Sequence, residues 1–474
     1  LTNTTLAYRI DTTAVAPPRR GVLGRYAPAI LALQVWCLPF NGVPGPGFLR
    51  ELSTEAAVYP MLAFVAIAGP TLLRQAARGT YLILAVALVI IVSANLLFNF
   101  DAISRVRLGD TTGIAKFASS LGVFLFYLTY CLCLGAYLRT RTAAQVVAFT
   151  NRVVLPLSVF LVLVWSLEFA SWYFEPLRAV MEPLKRSVSV GDYYQRFRLS
   201  GVSFEPSFNA IIMIGFLPAL ILGGTSSLNR KGRRTSYWLL TGLFVLFGAF
   251  SDSRTGYFIL WTETALVTVL FMVKGVGPLR IITRWLIPAG AIVLAPVLLY
   301  AVASDTALST DYRERSSDIA RLTSINVAIN TFLEHPVLGV GFGQYGFYYR
   351  ALLNPSGYRN PEVVSYVSGS RMEDFAPSYS LYWRVAAETG IIGFLAFYGV
   401  VASFFGRLSR PLSKGRSSTT FTLLIASGLA ASILVGISFD SYRAPFLWMY
   451  LALASSTKYI VAGVAPGTLR HSPW

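Results

Sequence analysis

The sequence predicts an all-α polytopic membrane protein, and three observations carry that prediction. Apolar runs recur along the whole chain, charge is scarce, and basic residues gather in alternate connecting segments. Hydrophobic residues make up 55% of the 474 and charged residues 13%, roughly half the charge usual in a water-soluble domain. Mean hydropathy is +0.58. A helix rising 1.5 Å per residue needs about 20 apolar residues to cross roughly 30 Å of hydrocarbon. Runs of that order lie at 26–41, 56–73, 80–98, 117–138, 153–174, 207–224, 236–250, 256–273, 285–303, 381–405, 419–437 and 444–462. About twelve transmembrane helices are therefore expected, the seventh short and the first interrupted by Pro28.

Orientation follows from Lys and Arg, which cytoplasmic loops retain. With the N-terminus inside, the inner segments collect Arg19, Arg20 and Arg25, then Arg230, Lys231, Arg233 and Arg234, then Arg407, Arg410, Lys414 and Arg416. Both termini are then cytoplasmic. The net charge of +18 reflects this topology and contact with anionic lipids, not a nucleic-acid partner. Cys37, Cys131 and Cys133 all fall in apolar runs. Cys131 and Cys133 are two apart on a helix and point to different faces, so they cannot share a metal and read as small buried hydrophobes. The basic stretch before residue 26 resembles an uncleaved signal-anchor, with no small-residue cleavage site after the first apolar run. The sequence has no evident internal repeat or low-complexity tract.

Three parts result. Residues 1–303 hold the first nine spans with an outer loop at about 175–206. Residues 304–380 form a large outer loop. Residues 381–474 hold three more spans and a cytoplasmic tail. Loops of this size in a compact membrane protein usually serve a function. In the large one, Ile319, Leu322, Ile325, Ile329 and Phe332 recur at three- and four-residue spacing, which predicts an amphipathic helix ended by Pro336 and the glycines of LGVGFG, lying over the membrane domain as a lid or packing peripherally. His335, at the end of that helix and before a proline, reads as structural.

Arginines are the informative outer feature. Arg196 and Arg198 stand in YYQRFRLSGVSFEPS (193–207), Arg254 in SDSRTG (251–256), and Arg384 about one turn into the tenth span. A charge deep in a membrane helix costs about 2.5–3.5 kcal/mol on insertion scales, so Arg384 should face a polar cavity. Glu388 lies four residues on, hence on the same helix face. The pair is either a brace for the bundle or a site where Arg384 meets an anionic substrate while Glu388 fixes its side chain. Guanidinium groups converging at the outer surface suit a diphosphate on a lipid, because each can donate two parallel hydrogen bonds to phosphate oxygens. No acidic or Cys/His set in the sequence looks like a metal site, so arginine would stabilise the departing pyrophosphate. Tyr193, Tyr194, Phe197, Tyr379, Tyr382 and Trp383 suit sugar rings and equally an interfacial aromatic belt.

RLSGVSFEPSFNA (198–210), SDSRTGYFIL (251–260), HPVLGVGFGQY (335–345) and YSLYWRVAAETGIIG (379–393) occur in the order expected of the O-antigen polymerase/ligase superfamily, and the chain resembles it over roughly 190–405. Its members are Wzy-type polymerases and WaaL-type ligases of bacterial envelope glycans. The resemblance implies a GT-C-like membrane glycosyltransferase that takes glycan from undecaprenyl diphosphate at the periplasmic face of the inner membrane, without metal, nucleotide or other cofactor. By motif, the family's essential arginines correspond to Arg198 and Arg254. Ligases of the family carry a histidine about nine residues before the motif glutamate; here that position is Tyr379. The departure favours a polymerase, with lipid-linked glycans as partners and a chain-length regulator as a candidate one. It leaves the general base open among Glu205, Glu373 and Asp374. Arg198, Arg254 and Glu205 are thus the expected catalytic residues, with Arg196, Arg384, Glu388, Tyr379 and Tyr382 expected to bind substrate. A ligase is the alternative in the same fold. A secondary transporter is the alternative in another class, and it would place ionisable groups at the midplane of repeated halves.

Overall fold

The computed structural model describes residues 22–46, 52–76, 80–188, 197–226, 228–251, 253, 256–257, 260, 263, 312–368, 375–408, 416–437 and 439–462. The chain is helical almost throughout them, as expected. Helices α1 (Val22–Cys37), α2 (Val58–Ala76) and α3 (Thr80–Phe98) coincide with the first three apolar runs. A short helix α4 (Phe100–Arg105) and an antiparallel ribbon pairing Arg107–Leu108 with Thr111–Thr112 lead into α5 (Gly113–Leu138). Thr112 caps α5 by accepting from the Ala115 N–H, satisfying one of the donors that a helix start leaves open.

The next span is one continuous helix made of α6 (Ala143–Phe149), a π turn (Thr150–Val154) and α7 (Leu155–Ser171). In a regular α-helix the ring of Pro156 would meet the carbonyl of Arg152, and the wider π turn just before it relieves that clash. The outer loop expected at 175–206 opens with a further helix, α8 (Glu175–Val188), which buries Met181 and Lys185 and exposes Val180 and Leu184. Helices α9 (Pro206–Thr225) and α10 (Lys231–Ala249) follow. The expected spans at 256–273 and 285–303 lie, but for four positions, outside the described residues.

Beyond them come α11 (Tyr312–Glu334), α12 (Tyr345–Tyr348), a 3-10 turn at Pro355–Arg359 and α13 (Pro361–Val367). Helices α14 (Leu381–Leu408), α15 (Arg416–Val435) and α16 (Pro445–Ala462) complete the fold. Among the described residues, four helices are long and apolar enough to cross a membrane, at 113–138, 143–171, 206–225 and 381–404. Shorter apolar helices cover 26–37, 85–98 and 420–435. The figure of twelve stays a reading of the sequence.

Helix α5 is central, packed on α2 and α16, while α9 packs on α10 and α15. Its aromatic face supplies Phe124, Tyr127 and Tyr130 to the core, with Tyr127 stacked on Trp448 at 6.1 Å. Cys131 and Cys133 are buried in the same core and unbonded, as small hydrophobes. One end of the bundle is closed by Asn151, which donates to Asn229 at 2.8 Å and accepts from the Tyr237 hydroxyl at 2.7 Å. The opposite end carries the motif loops.

The amphipathic helix expected in the large loop is present as α11, but its inner face differs from the expected stripe. Ala320, Ser324, Val327, Ala328 and Thr331 are buried, whereas Ile319 and Leu322 are exposed. Small residues let α11 approach α14 closely, and Ala387 of α14 joins the same apolar cluster. Tyr345 of α12, the adjoining Tyr349, and Val363 and Val367 of α13 fill it.

Candidate functional site

The segment bearing Arg198 is held rigidly from below. Glu168, near the end of α7, is fully buried (0% exposed) and accepts from the Lys185 ammonium of α8 at 2.5 Å, from Ser200 N–H at 3.3 Å and from Gly201 N–H at 2.6 Å. Lys185 also donates to the Ser200 hydroxyl. Trp165 donates to the Asn209 side chain at 3.0 Å, and Asn209 in turn donates to the Leu199 carbonyl at 3.3 Å. Two buried charges are tolerated only when paired and fully hydrogen-bonded, which this arrangement achieves. Glu168→Gln should therefore destabilise the protein by about 3–5 kcal/mol, because an amide leaves Lys185 buried and uncompensated. Thermal unfolding in detergent measures this, and Lys185→Met in the same chain should restore much of the loss. A Glu168→Gln protein as stable as wild type removes the anchoring role.

The same segment meets the SDSRTG motif. Leu199 N–H donates to the Phe250 carbonyl at 2.9 Å, and a side chain at Gly256 would run into Ala210 of α9. The backbone next to Arg198 is thus hydrogen-bonded to the turn that leads to Arg254. Arg198 itself is half-buried; Arg196 and Arg254 lie outside the described residues. Glu205 is half-buried just before α9 and accepts from the Ser207 hydroxyl. Glu373 and Asp374 also lie outside the described residues.

The other two motifs are joined backbone to backbone. Helix α14 is broken at Gly390, whose φ of 62° and ψ of −169° leave helical space. Across the break Val340 N–H donates to the Ala387 carbonyl at 2.9 Å and Gly341 N–H to the Glu388 carbonyl at 3.0 Å. In return Ile391 N–H donates to the Pro336 carbonyl at 2.8 Å. The approach is so close that a Cβ on Gly339 would lie 2.4 Å from the carbonyl carbon of Glu388, and one on Gly390 would lie 2.2 Å from the Val337 oxygen. Asn95 of α3 closes the joint by donating to the Leu338 carbonyl and accepting from Phe342 N–H at 3.1 Å. The glycines of HPVLGVGFG and ETGIIG thus share one structural reason, since the loop replaces the turn of helix that α14 lacks.

Arg384 and Glu388 form the ion pair that their spacing suggested, at 3.0 Å. A second carboxylate joins them. Arg384 Nη1 donates to the Asp440 carbonyl at 3.0 Å and lies 3.6 Å from its side chain, which accepts from Ser378 N–H at 2.7 Å. Glu388 is fully buried and its Oε2 has no hydrogen-bond partner among the described residues, whereas Arg384 keeps 22% of its side chain exposed. The turn holding Asp440 also bridges to other elements. Phe439 packs edge-on against Phe208 of α9 at 5.3 Å, and Arg443 lies 3.7 Å from Glu55, which accepts from Tyr127 at 3.0 Å. Asp440, Arg443 and Glu55 were not singled out in the sequence; their only signal was charge in short turns between apolar runs.

Tyr379 stands at φ 53°, a left-handed conformation that costs a residue with a Cβ about 1–2 kcal/mol. Its hydroxyl donates to Glu362 of α13 at 2.7 Å, and the guanidinium of Arg321 on α11 lies over its ring, 5.6 Å from the centroid. Burial, and next the negative charge of Glu362, raise the Tyr379 pKa above the usual phenol value, so the hydroxyl stays protonated at neutral pH. Tyr382 stacks on Tyr398 at 4.9 Å and donates to the Ile433 carbonyl at 3.0 Å. His335 is exposed and edge-on to Tyr348.

Two charged groups thus lie at one end of the bundle, the Arg198 loop and the Arg384–Glu388–Asp440 cluster, with the 439–443 turn packed between them. No group of three or more potential metal ligands occurs among the described residues. No curated protein matches the chain. The family model for O-antigen ligases matches residues 238–398, about a third of the chain. That range contains three of the four motifs and both sides of the α14 joint, but not the Arg198 loop. Over that range the chain is similar to O-antigen ligases, and the apolar helices support a multi-pass membrane protein.

Proposed function

We propose that this protein is a polysaccharide polymerase of the bacterial inner membrane. At the periplasmic face it moves a glycan from undecaprenyl diphosphate to a hydroxyl of the next lipid-linked repeat. The single observation that carries this reading, over that of a ligase, is position 379. A phenol held protonated against Glu362 stands where the ligase pattern has a histidine, and a phenol is a poor base at neutral pH.

In the transfer, the acceptor oxygen bonds to the anomeric carbon while the bond from that carbon to the diphosphate oxygen breaks. The electron pair leaves on the diphosphate. Arg198 and Arg254 receive that charge, with Arg196, two residues before Arg198 in sequence, as a further cation, and no metal or other cofactor enters the scheme. Glu205, among the described residues the half-buried carboxylate nearest in sequence to Arg198, takes the acceptor's proton. The exposed edge of Arg384, oriented by Glu388, meets the anionic substrate, with Tyr379 and Tyr382 toward its sugars. Membrane lipids and a chain-length regulator are the expected partners.

A ligase is the second reading, favoured by the description of the matching family. The glycan profile of a deletion strain separates the two. Loss of the polymer ladder, with lipid-linked single repeats accumulating, is the expected result. Full-length polymer made on its lipid carrier but attached to nothing would overturn the polymerase and establish the ligase.

A further inference from the structure

Arg321 differs from three other cations at this end of the bundle. Lys185 is paired with Glu168, Arg384 with Glu388 and Asp440, and Arg443 with Glu55. Arg321 has no ion pair among the described residues, and its Nε–H is buried without a hydrogen-bond partner among them. A buried donor left unsatisfied costs about 1–3 kcal/mol, and more when charged. What holds the group in place is the ring of Tyr379, itself fixed by the bond to Glu362 and by a strained backbone.

The position is close to the charged floor of the site. One turn along α11 from Arg321, the Ser324 carbonyl accepts from Tyr345 at 2.8 Å and the Ser324 hydroxyl lies 3.0 Å from the hydroxyl of Tyr349. Tyr345 packs in the same apolar cluster as Ala387, which directly precedes Glu388 on α14. A guanidinium with an unmet donor, seated on an aromatic ring at the edge of such a floor, is a site built for an oxyanion.

We propose that Arg321 is a second oxyanion-binding residue, contributed by the loop helix α11, which takes a phosphate or a sugar carboxylate of the lipid-linked glycan. The proposal rests on the reading of the protein as an enzyme of lipid-linked glycans, and it separates Arg321 from the leaving-group arginines at 198 and 254. Tyr379 serves as its platform, which gives the strained tyrosine a reason that does not involve proton transfer. Glu362 holds the platform, and the α13 N-terminus that carries Glu362 is fixed by Asn360, whose side chain accepts from Glu362 and Val363 N–H at 2.9 and 3.2 Å.

The test titrates the full-length protein, purified in detergent, with farnesyl diphosphate and separately with glucuronate. Arg321→Gln should weaken one of them about tenfold to a hundredfold, the loss expected for one charge-assisted hydrogen bond. Loss for farnesyl diphosphate assigns the site to phosphate, and loss for glucuronate assigns it to a sugar carboxylate. Arg321→Lys should fall between. An Arg321→Lys protein that is folded, as judged by a monodisperse elution profile, keeps the test valid if the glutamine variant is not. Wild-type binding of both probes by either Arg321 variant overturns the proposal. The two readings fail separately: Arg198→Ala binding farnesyl diphosphate as wild type does would count against the leaving-group assignment and leave Arg321 standing.

Discussion

Arg198→Ala should abolish glycan transfer while the protein still folds and inserts. The bonds that anchor this loop run through the backbone of Leu199, Ser200 and Gly201 to Phe250 and Glu168, and the substitution leaves each of them in place. Removing one preorganised group that stabilises a departing charge costs about 10²–10³ in rate. Arg254→Ala, four residues after the Phe250 carbonyl that accepts from this loop, should cost a similar factor. Lysine at either position should restore only part, because an ammonium cannot make the two-pronged contact with a phosphate. Transfer from a lipid-linked donor in detergent, alongside the polymer ladder of the complemented strain, gives both readouts. Polymer at wild-type levels from Arg198→Ala would end the assignment.

Gly390→Ala and Gly339→Ala should act in the opposite way, by removing the folded protein and not the chemistry. At Gly390 the backbone occupies a region that is essentially closed to residues with a Cβ, at a cost of about 1–3 kcal/mol from strain alone. The added methyl would also press on backbone, which cannot turn aside as a side chain can: the Val337 oxygen in one case and the Glu388 carbonyl carbon in the other. Gly399→Ala, on the same helix, is the control, since a Cβ there meets nothing within 4 Å. The amount of monodisperse protein extracted from membranes is the measurement. A Gly390→Ala protein recovered in normal yield and merely inactive would show that the joint is not what the glycine serves.

Much of the architecture was legible because membrane burial writes long apolar runs, and the start and end of α5, α9 and α14 fall within a few residues of them. The ion pair of Arg384 with Glu388 was legible too, since partners four apart on a helix need no tertiary information. Asp440 was not, because it lies 56 residues from Arg384 and only the folded chain brings the turn to the helix. Glu362 and Arg321 were hidden for the same reason, being joined to Tyr379 across separate elements of the large loop. The face of α11 was misread for a different one. Periodicity marks the most hydrophobic stripe, whereas close packing against α14 selected Ala320, Ser324 and Ala328 and left Ile319 and Leu322 outside.

The joint between the 335–343 loop and α14 also fixes an order of assembly. In an apolar medium an unmet backbone carbonyl or N–H costs several kcal/mol, and the break at Gly390 exposes such groups at Ala387, Glu388 and Ile391. Their partners, at 336, 340 and 341, belong to a stretch synthesised earlier, so they already exist when the helix leaves the ribosome. A chain built in the reverse order would have to hold a discontinuous helix in lipid while it waited for its other half. Truncation ahead of residue 387 should accordingly leave the glycine loop without the edge it was shaped to meet, and circular permutation between the two segments should fail where permutation elsewhere succeeds.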